Sequence, residues 1–474
     1  MATFSEIISA MREAAPPGQQ DLDHAALGEL RSLTQALIAA RPDAEEECGR
    51  FLGLRERGIA VPEPELEAWL HGATVLVTGG TGCIGSALMA QIAQRRPGRL
   101  VSVSRGVASG WPRLAAAQYR PADIRDRCAL AAVFDEVRPD VVFHLAAQRD
   151  PGLAEHEVHR TVTTNVLGTS HVVSAAEEFG VERVVFASTG KALRPYSREV
   201  YTATKRAAEW LVSCAASRGR ARYSAARFTH VVDNSIIYNR LVGWSQAGVM
   251  RLHAADIMFY AQSALESAQL LLRAGLDSAG APDARGLDAR GLDARGLDAR
   301  GLDARAGRLW VQAITDLGWP VGLLDLALGV LARSGSETPI YFSGYDPGYE
   351  SKPFPGLYDP RTAGEVSPLL NAFEAACVEQ RPGRVTDEFP LWFEPCPEGD
   401  AQLLALQDAC ETGEPAAVRA GLDTLSWWMF EAMAQRAPRE TLVRVAELTA
   451  PFSGELSSAY QRILATVRQY AGAS

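Results

Sequence analysis

The stretch Thr74-Val75-Leu76-Val77-Thr78-Gly79-Gly80-Thr81-Gly82-Cys83-Ile84-Gly85 decides the fold. A short apolar run, the texture of a buried strand, ends in glycines at 79, 82 and 85, and 86–95 reads as a helix. Each glycine has a separate use. The first turns the chain sharply, and the second lets backbone approach a pyrophosphate. The third lets the helix pack on the sheet with its N-terminus toward the phosphates. Between a strand and a helix, the triplet marks a dinucleotide site. Thr78, Gly79, Thr81, Gly82, Cys83, Ile84 and Gly85 are its expected lining.

Working outward, apolar runs recur at 100–103, 141–145, 184–187, 224–228 and 309–314, separated by helical patterns such as 201–216 and 323–332. Strands alternating with helices mean a parallel sheet covered on both faces. The expected class is α/β, a doubly wound parallel-sheet Rossmann domain with helical N- and C-terminal extensions. The expected parts are a helical extension over 1–70, the main domain over 71–364, and a helical extension over 365–474. In the first extension Ile7, Ile8 and Met11, then Leu27, Leu30, Leu33 and Leu37, recur at helical spacing, which suits packing or dimerisation. Trp427 and Trp428 read as core. Four tandem GLDAR copies at 286–305 have a period that fits neither helix nor strand. They mark a mobile surface insertion over about 275–307.

The chain has 474 residues, 47% hydrophobic and 22% charged, the balance of a globular protein. Its net charge is −10 with no basic block, so nucleic acid is not an expected partner. An anionic substrate must be held by local cations and amides instead. Seven cysteines stand singly, without zinc spacing, so no metal is expected and the thiols suit a reducing compartment. Neither a signal peptide nor a membrane span is visible. The expectation is a cytoplasmic homo-oligomer with no membrane partner.

The chemistry lies further along. The second strand ends Val101-Ser-Val-Ser104-Arg105, without the acid that reads a ribose diol. Ser104 and Arg105 can hold a 2′-phosphate, which places NADP ahead of NAD. Asp123 and Ile124 fit the adenine edge, and Leu145, Ala146 and Ala147 the cofactor trough. Tyr201 and Lys205, four apart, share a helix face. The Lys205 ammonium and a nicotinamide cation would lower the Tyr201 pKa. The phenolate could then take an alcohol proton as hydride leaves the carbon. Ser188 and Thr189 end the preceding strand, placed to bond the reacting oxygen.

Six runs carry a family resemblance: VLVTGGTGCIG (75–85), ADIRD (122–126), PDVVFHLAA (139–147), TNVLGT (164–169), GVERVVFASTGKA (180–192) and YTATKRAAEWL (201–211). From about 74 to 365 the chain resembles an extended short-chain dehydrogenase/reductase. Within that group it is similar to the polysaccharide-biosynthesis branch of inverting UDP-N-acetylglucosamine 4,6-dehydratases and related epimerases. The resemblance implies cofactor positions at Gly79, Gly82, Gly85, Ser104, Arg105, Asp123, Ala146 and Lys205. It implies catalytic ones at Thr189, Lys191, Tyr201 and Lys205, on a sugar-nucleotide substrate. In that chemistry the sugar is oxidised at C4, the ketone acidifies the C5 proton, and Lys191 removes it.

The pattern also departs. The dehydratases resembled carry Thr-Asp-Lys where this chain has Thr189-Gly190-Lys191. Gly190 cannot protonate a departing C6 hydroxyl, and losing general-acid help costs about 100-fold or more. Dehydration, epimerisation at C5 and simple redox at C4 all stay open, with Asp150 and His230 as substitute acids. Arg227-Phe-Thr-His230 and Asp256-Ile-Met-Phe-Tyr260 also depart, in segments expected to shape the substrate pocket. Two other readings stand beside these: a redox enzyme for a non-sugar natural product, and a catalytically idle Rossmann binding protein. The retained Tyr201–Lys205 pair weighs against the second.

Overall fold

The computed structural model describes residues 3–106, 112–277, 307–346, 367–378, 384–391, 393 and 395–472. The GLDAR copies lie outside the described residues. The chain divides into two compact units.

The larger unit comprises Ile59–Phe228, Ser267–Asp316 and Lys352–Ser474. It is built on an eight-stranded sheet. In chain order the strands are β1 (Thr74–Thr78), β2 (Arg99–Ser104), β3 (Gln118–Pro121), β4 (Val141–His144), β5 (Arg183–Thr189), β6 (Arg222–Phe228), β7 (Leu309–Ile314) and β8 (Thr386–Leu391). They lie in the order β3-β2-β1-β4-β5-β6-β7-β8. All neighbours are parallel except β8, which runs antiparallel to β7. This is a doubly wound Rossmann sheet, as the alternation of strands and helices implied. The direction of winding reverses between β1 and β4, where Thr78 pairs with His144. In such sheets ligands bind beyond the carboxyl ends of the strands at this reversal.

Two strands escape the sequence reading. β3 is Gln-Tyr-Arg-Pro at an edge, half-buried to exposed, with no apolar run to betray it. β8 lies within the segment read as helical. It carries Asp387 and Glu388, which are buried but bonded: Ser367 N donates to Asp387 Oδ2 at 2.6 Å.

The helix Val200–Arg218, which carries Tyr201, is buried nearly all round. Strands β5 and β6 flank it on one side and the C-terminal helix Pro415–Arg436 on another. Arg419 of that helix pairs with Glu155 at 2.6 Å, and Tyr196 Oη donates to Asp423 at 2.8 Å. Trp427 packs in a core with Tyr196 and Phe430, and Trp428 edges onto Trp210.

The smaller unit comprises Met1–Gly58, Thr229–Glu266 and Leu317–Ser351. Its centre is the helix Leu323–Ser334, buried on nearly every side. Phe4–Ala14, His24–Ala40 and Ala44–Gly53 contribute Met11, Leu30, Leu37 and Phe51 to the same core. A Cβ on Gly329 would stand 2.3 Å from Ala44 O, so these two helices cross at backbone distance. The first 58 residues thus complete a core. The division falls short of residue 70, because Glu63–Leu70 packs with the sheet: the Trp69 ring lies 6.1 Å from that of Phe143. No helix among the described residues is long and apolar enough to cross a membrane.

Candidate active site

The glycine turn follows β1. Gly79 has φ +76° and lies against the loop after β4: a Cβ there would stand 2.9 Å from Ala146 N. A Cβ on Gly85 would stand 2.2 Å from Gly79 O, so the turn closes on itself. The helix that follows is Cys83–Ala93, capped at Gly82, and begins three residues before the expected start. Glycine ordinarily disfavours helix interiors, yet here close packing requires Gly85 inside the first turn. Gly82 is exposed, Gly79, Thr81 and Ile84 are half-buried, and Cys83 is buried.

Below the turn, Thr78 is fully buried. Its Oγ1 accepts from Leu145 N and Ala146 N, both at 3.2 Å, and lies 2.7 Å from His144 Nδ1. His144 Nε2 in turn lies 3.0 Å from Thr169 Oγ1. Burial, helped by the nearby Lys205 charge, pushes His144 down to about 3, so the ring is neutral. Asn165 ties the same loop to the tyrosine helix. Its Oδ1 accepts from Gln148 N at 2.8 Å, and its Nδ2 donates to Thr204 Oγ1 at 3.1 Å. Sequence reasoning gave neither His144 nor Asn165 a role. Their signals were a polar residue inside VVFHL and the Asn of TNVLGT.

At the end of β2, Ser104 is half-buried and Arg105 exposed. Ser104 O accepts from Ala122 N at 2.9 Å, which brings 122–124 alongside. Arg125 grips the Asp123 carboxylate, with Nη2 at 2.6 Å from Oδ2. That bond, with a smaller contribution from Arg105, holds Asp123 below the usual carboxylate range. Asp123 and Arg125 line a recess of about 360 Å³ with His159 and His171. Ile124 turns inward: a Cβ on Gly168 would stand 2.7 Å from its Cδ1. Ala146 and Ala147 are half-buried along the loop after β4.

The chemistry-bearing residues meet beyond β5. Thr189 stands beside the Tyr201 phenol, and its Oγ1 accepts from Lys191 N at 3.3 Å. Burial pushes the Tyr201 phenol above its ordinary pKa, opposed by the neighbouring Thr189 and by the Arg149 charge. The expected lowering by Lys205 is not what the geometry gives. Lys205 Nζ instead donates to Ala187 O at 2.8 Å and lies 4.3 Å above the Phe186 ring. Its burial pushes it down to about 8, opposed by Glu209.

Three further expectations are corrected. Ser188 does not face the reacting oxygen; its Oγ donates to Glu209 Oε1 at 2.6 Å. Successive side chains of a strand point to opposite faces, so Ser188 and Thr189 cannot both reach the cleft. Asp150 caps the helix Pro151–His156 by accepting from Leu153 N at 3.1 Å. His230 belongs to the smaller unit, 2.6 Å from Ser235 Oγ and packed edge-on to Phe259. Lys191 is half-buried, with Nζ 3.7 Å from Glu199 Oε2.

Arg227 shapes the interior. It is fully buried and donates to Glu209 Oε1 and Oε2, each at 2.8 Å, and to Glu374 Oε2 at 2.6 Å. Arg206 Nη1 joins both carboxylates, at 3.1 and 2.9 Å. Burial opposes the Arg227 charge, but Glu209 and Glu374 outweigh it and hold its pKa above the ordinary value.

Residues 75–281 match the family model described as polysaccharide biosynthesis protein. The resemblance drawn from the six runs therefore holds over the stretch that carries them. The chain is 28% identical over 295 residues to a capsular polysaccharide biosynthesis protein, CapD, of Staphylococcus aureus, covering 59% of this chain and 44% of that one. It is 29% identical over 173 residues to an inverting UDP-N-acetylglucosamine 4,6-dehydratase of Campylobacter jejuni, covering 35% of this chain and 51% of that one. The chain spans about half the length of these curated relatives. Among solved structures, Pen from Bacillus thuringiensis shares the fold, with a TM-score of 0.51 at 20% identity over 68% of this chain and 89% of that one.

Proposed function

We propose that this chain is a nicotinamide-dependent enzyme of a sugar nucleotide, acting by C4 oxidation followed by C5 deprotonation. The observation that carries this is the placement of Thr189 at the end of β5, the strand next to β4 at the β1–β4 reversal, with Tyr201 and Lys205 one turn apart on the helix packed against β5. The residues suit a dinucleotide. Gly79 and Gly85 have backbone where any side chain would stand, and Gly82 opens a helix whose first-turn amides favour an anion. Thr78, Thr81, Cys83 and Ile84 flank the pyrophosphate. Asp123 and Ile124 serve the adenine end, and Leu145, Ala146 and Ala147 the trough. Arg105, exposed beside Ser104, supports NADP ahead of NAD.

A bound nicotinamide supplies hydride transfer at the sugar carbon. Tyr201 is the group placed to take the proton of the C4 hydroxyl, the positive charge of a bound nicotinamide being what would bring its phenol back down from the value that burial sets, and Thr189 would hold that oxygen. Lys205, anchored on Ala187 O, brings positive charge to the same helix face. Lys191, beside Glu199, is the amine placed to accept the C5 proton that the neighbouring ketone has acidified. Related proteins named as an inverting 4,6-dehydratase and as a dTDP-L-rhamnose 4-epimerase support the substrate class.

Tyr201→Phe is expected to lower turnover of a responsive sugar nucleotide by about 1,000-fold. NADPH binding, measured by calorimetry, should be unchanged. Full turnover in the variant would remove Tyr201 from the mechanism.

A further inference from the structure

Gly190 is not a glycine that its backbone demands. It does not appear among the residues of positive φ, and it opens a short helical turn directly after Thr189. What it lacks is room. A Cβ there would stand 2.6 Å from Leu369 Cδ2 and 3.4 Å from Phe228 O. Leu369 is itself nearly fully buried, and it is held from several sides. Its carbonyl accepts from Arg227 Nη1 at 3.0 Å, and its N donates to Ser367 Oγ at 3.3 Å. Two residues on, Asn371 Nδ2 donates to Leu193 O at 2.7 Å, on the far side of Lys191. Glu374 then locks the segment onto Arg206 and Arg227. The side-chain tip that fills the space beside Gly190 therefore belongs to a buried segment whose backbone is bonded on several sides.

We propose that Leu369 holds the place of a general acid and confines this site to chemistry that keeps the sugar's C6 hydroxyl. The inference rests on the functional reading above. After C4 is oxidised, the C5–H bond breaks; its electrons enter the enolate and its proton goes to Lys191 Nζ. Elimination would then require a proton delivered to O6 as the C6–O bond breaks and water leaves. Position 190, between Thr189 and Lys191, is the backbone point from which a carboxylic acid could reach that oxygen. Leu369 fills that point with hydrocarbon. The proton returns to C5 instead, from either face, and the C4 ketone is reduced again. No C–O bond breaks and no further oxidant is needed, so substrate and product have one composition.

Two measurements test this on the full chain. The first is mass spectrometry of UDP-N-acetylglucosamine incubated with enzyme and NADP in deuterated water. Gain of one deuterium without loss of water is expected; a product lighter by one water overturns the proposal. Absence of both exchange and cofactor reduction, across a panel of sugar nucleotides, counts against the functional reading and leaves Leu369 to the second measurement. That measurement is a melting-temperature cycle, which needs no turnover. Gly190→Ala should lower the melting temperature by about 3 °C in the wild-type background. In the Leu369→Ala background the drop should be less than half as large. Equal drops in the two backgrounds would show that Leu369 does not exclude a side chain at 190, and the proposal fails. The chemical counterpart is Gly190→Asp with Leu369→Ala, which should produce dehydrated sugar where Gly190→Asp alone does not.

Discussion

Gly79 and Gly190 each follow a strand of the same sheet and each stands beside candidate site residues, but they are glycine for different reasons. At Gly79 the backbone is left-handed, and a side chain would strike the backbone of Ala146. At Gly190 the backbone is ordinary, and the nearest obstacle is the side chain of Leu369, far along the chain. The first glycine is imposed by the turn it makes, and the second by a neighbour that could have been otherwise. The first kind is set by the backbone of the turn; the second is set by how this chain packs a distant side chain.

The contrast can be broken most forcefully at the anchor. Arg227→Leu leaves Glu209 and Glu374 facing each other in the interior with Arg206 alone between them. Removing one partner of a buried ion pair costs about 3–5 kcal/mol, to be read from urea denaturation. A loss below about 1 kcal/mol would mean that the Leu369 segment is not held as described. Next comes Gly79→Ala, expected to cost about 2–3 kcal/mol through strain and backbone contact and to weaken NADPH binding at least tenfold. Unlike Gly190→Ala, it should not be relieved by Leu369→Ala or any other truncation, since the atoms it meets are main chain. The smallest effect is expected at the exposed Arg105. Arg105→Ala should weaken NADPH by about tenfold while leaving NADH unchanged, as measured by calorimetry. Equal weakening of both would assign the phosphate end to another residue.

The same contrast explains how far the sequence could be read. The glycine turn, β1, β4 and the Tyr201 helix were legible because local rules govern them: apolar runs, glycine spacing and helical pairing. β3 was hidden because an exposed edge strand needs no apolar run, and β8 because its acids are satisfied by partners outside it. The role of Lys205 was misjudged. Spacing places it on the tyrosine's face but says nothing of Ala187 O, which takes its ammonium. Ser188 and Thr189 look equivalent in sequence, and only the pleat separates them. Gly190 announced a missing acid, yet nothing in a linear reading could show that a leucine from the C-terminal segment occupies the space.

The antiparallel β8 has a consequence for how the molecule is made. Translation delivers β1 to β7 and Arg227 first, and Glu374 and β8 only afterwards. Until then β7 has no partner on that side and Arg227 has only Glu209 of its two carboxylates. Open edges invite foreign strands. The final hundred residues thus supply both the strand that covers β7 and the second carboxylate of the buried cluster.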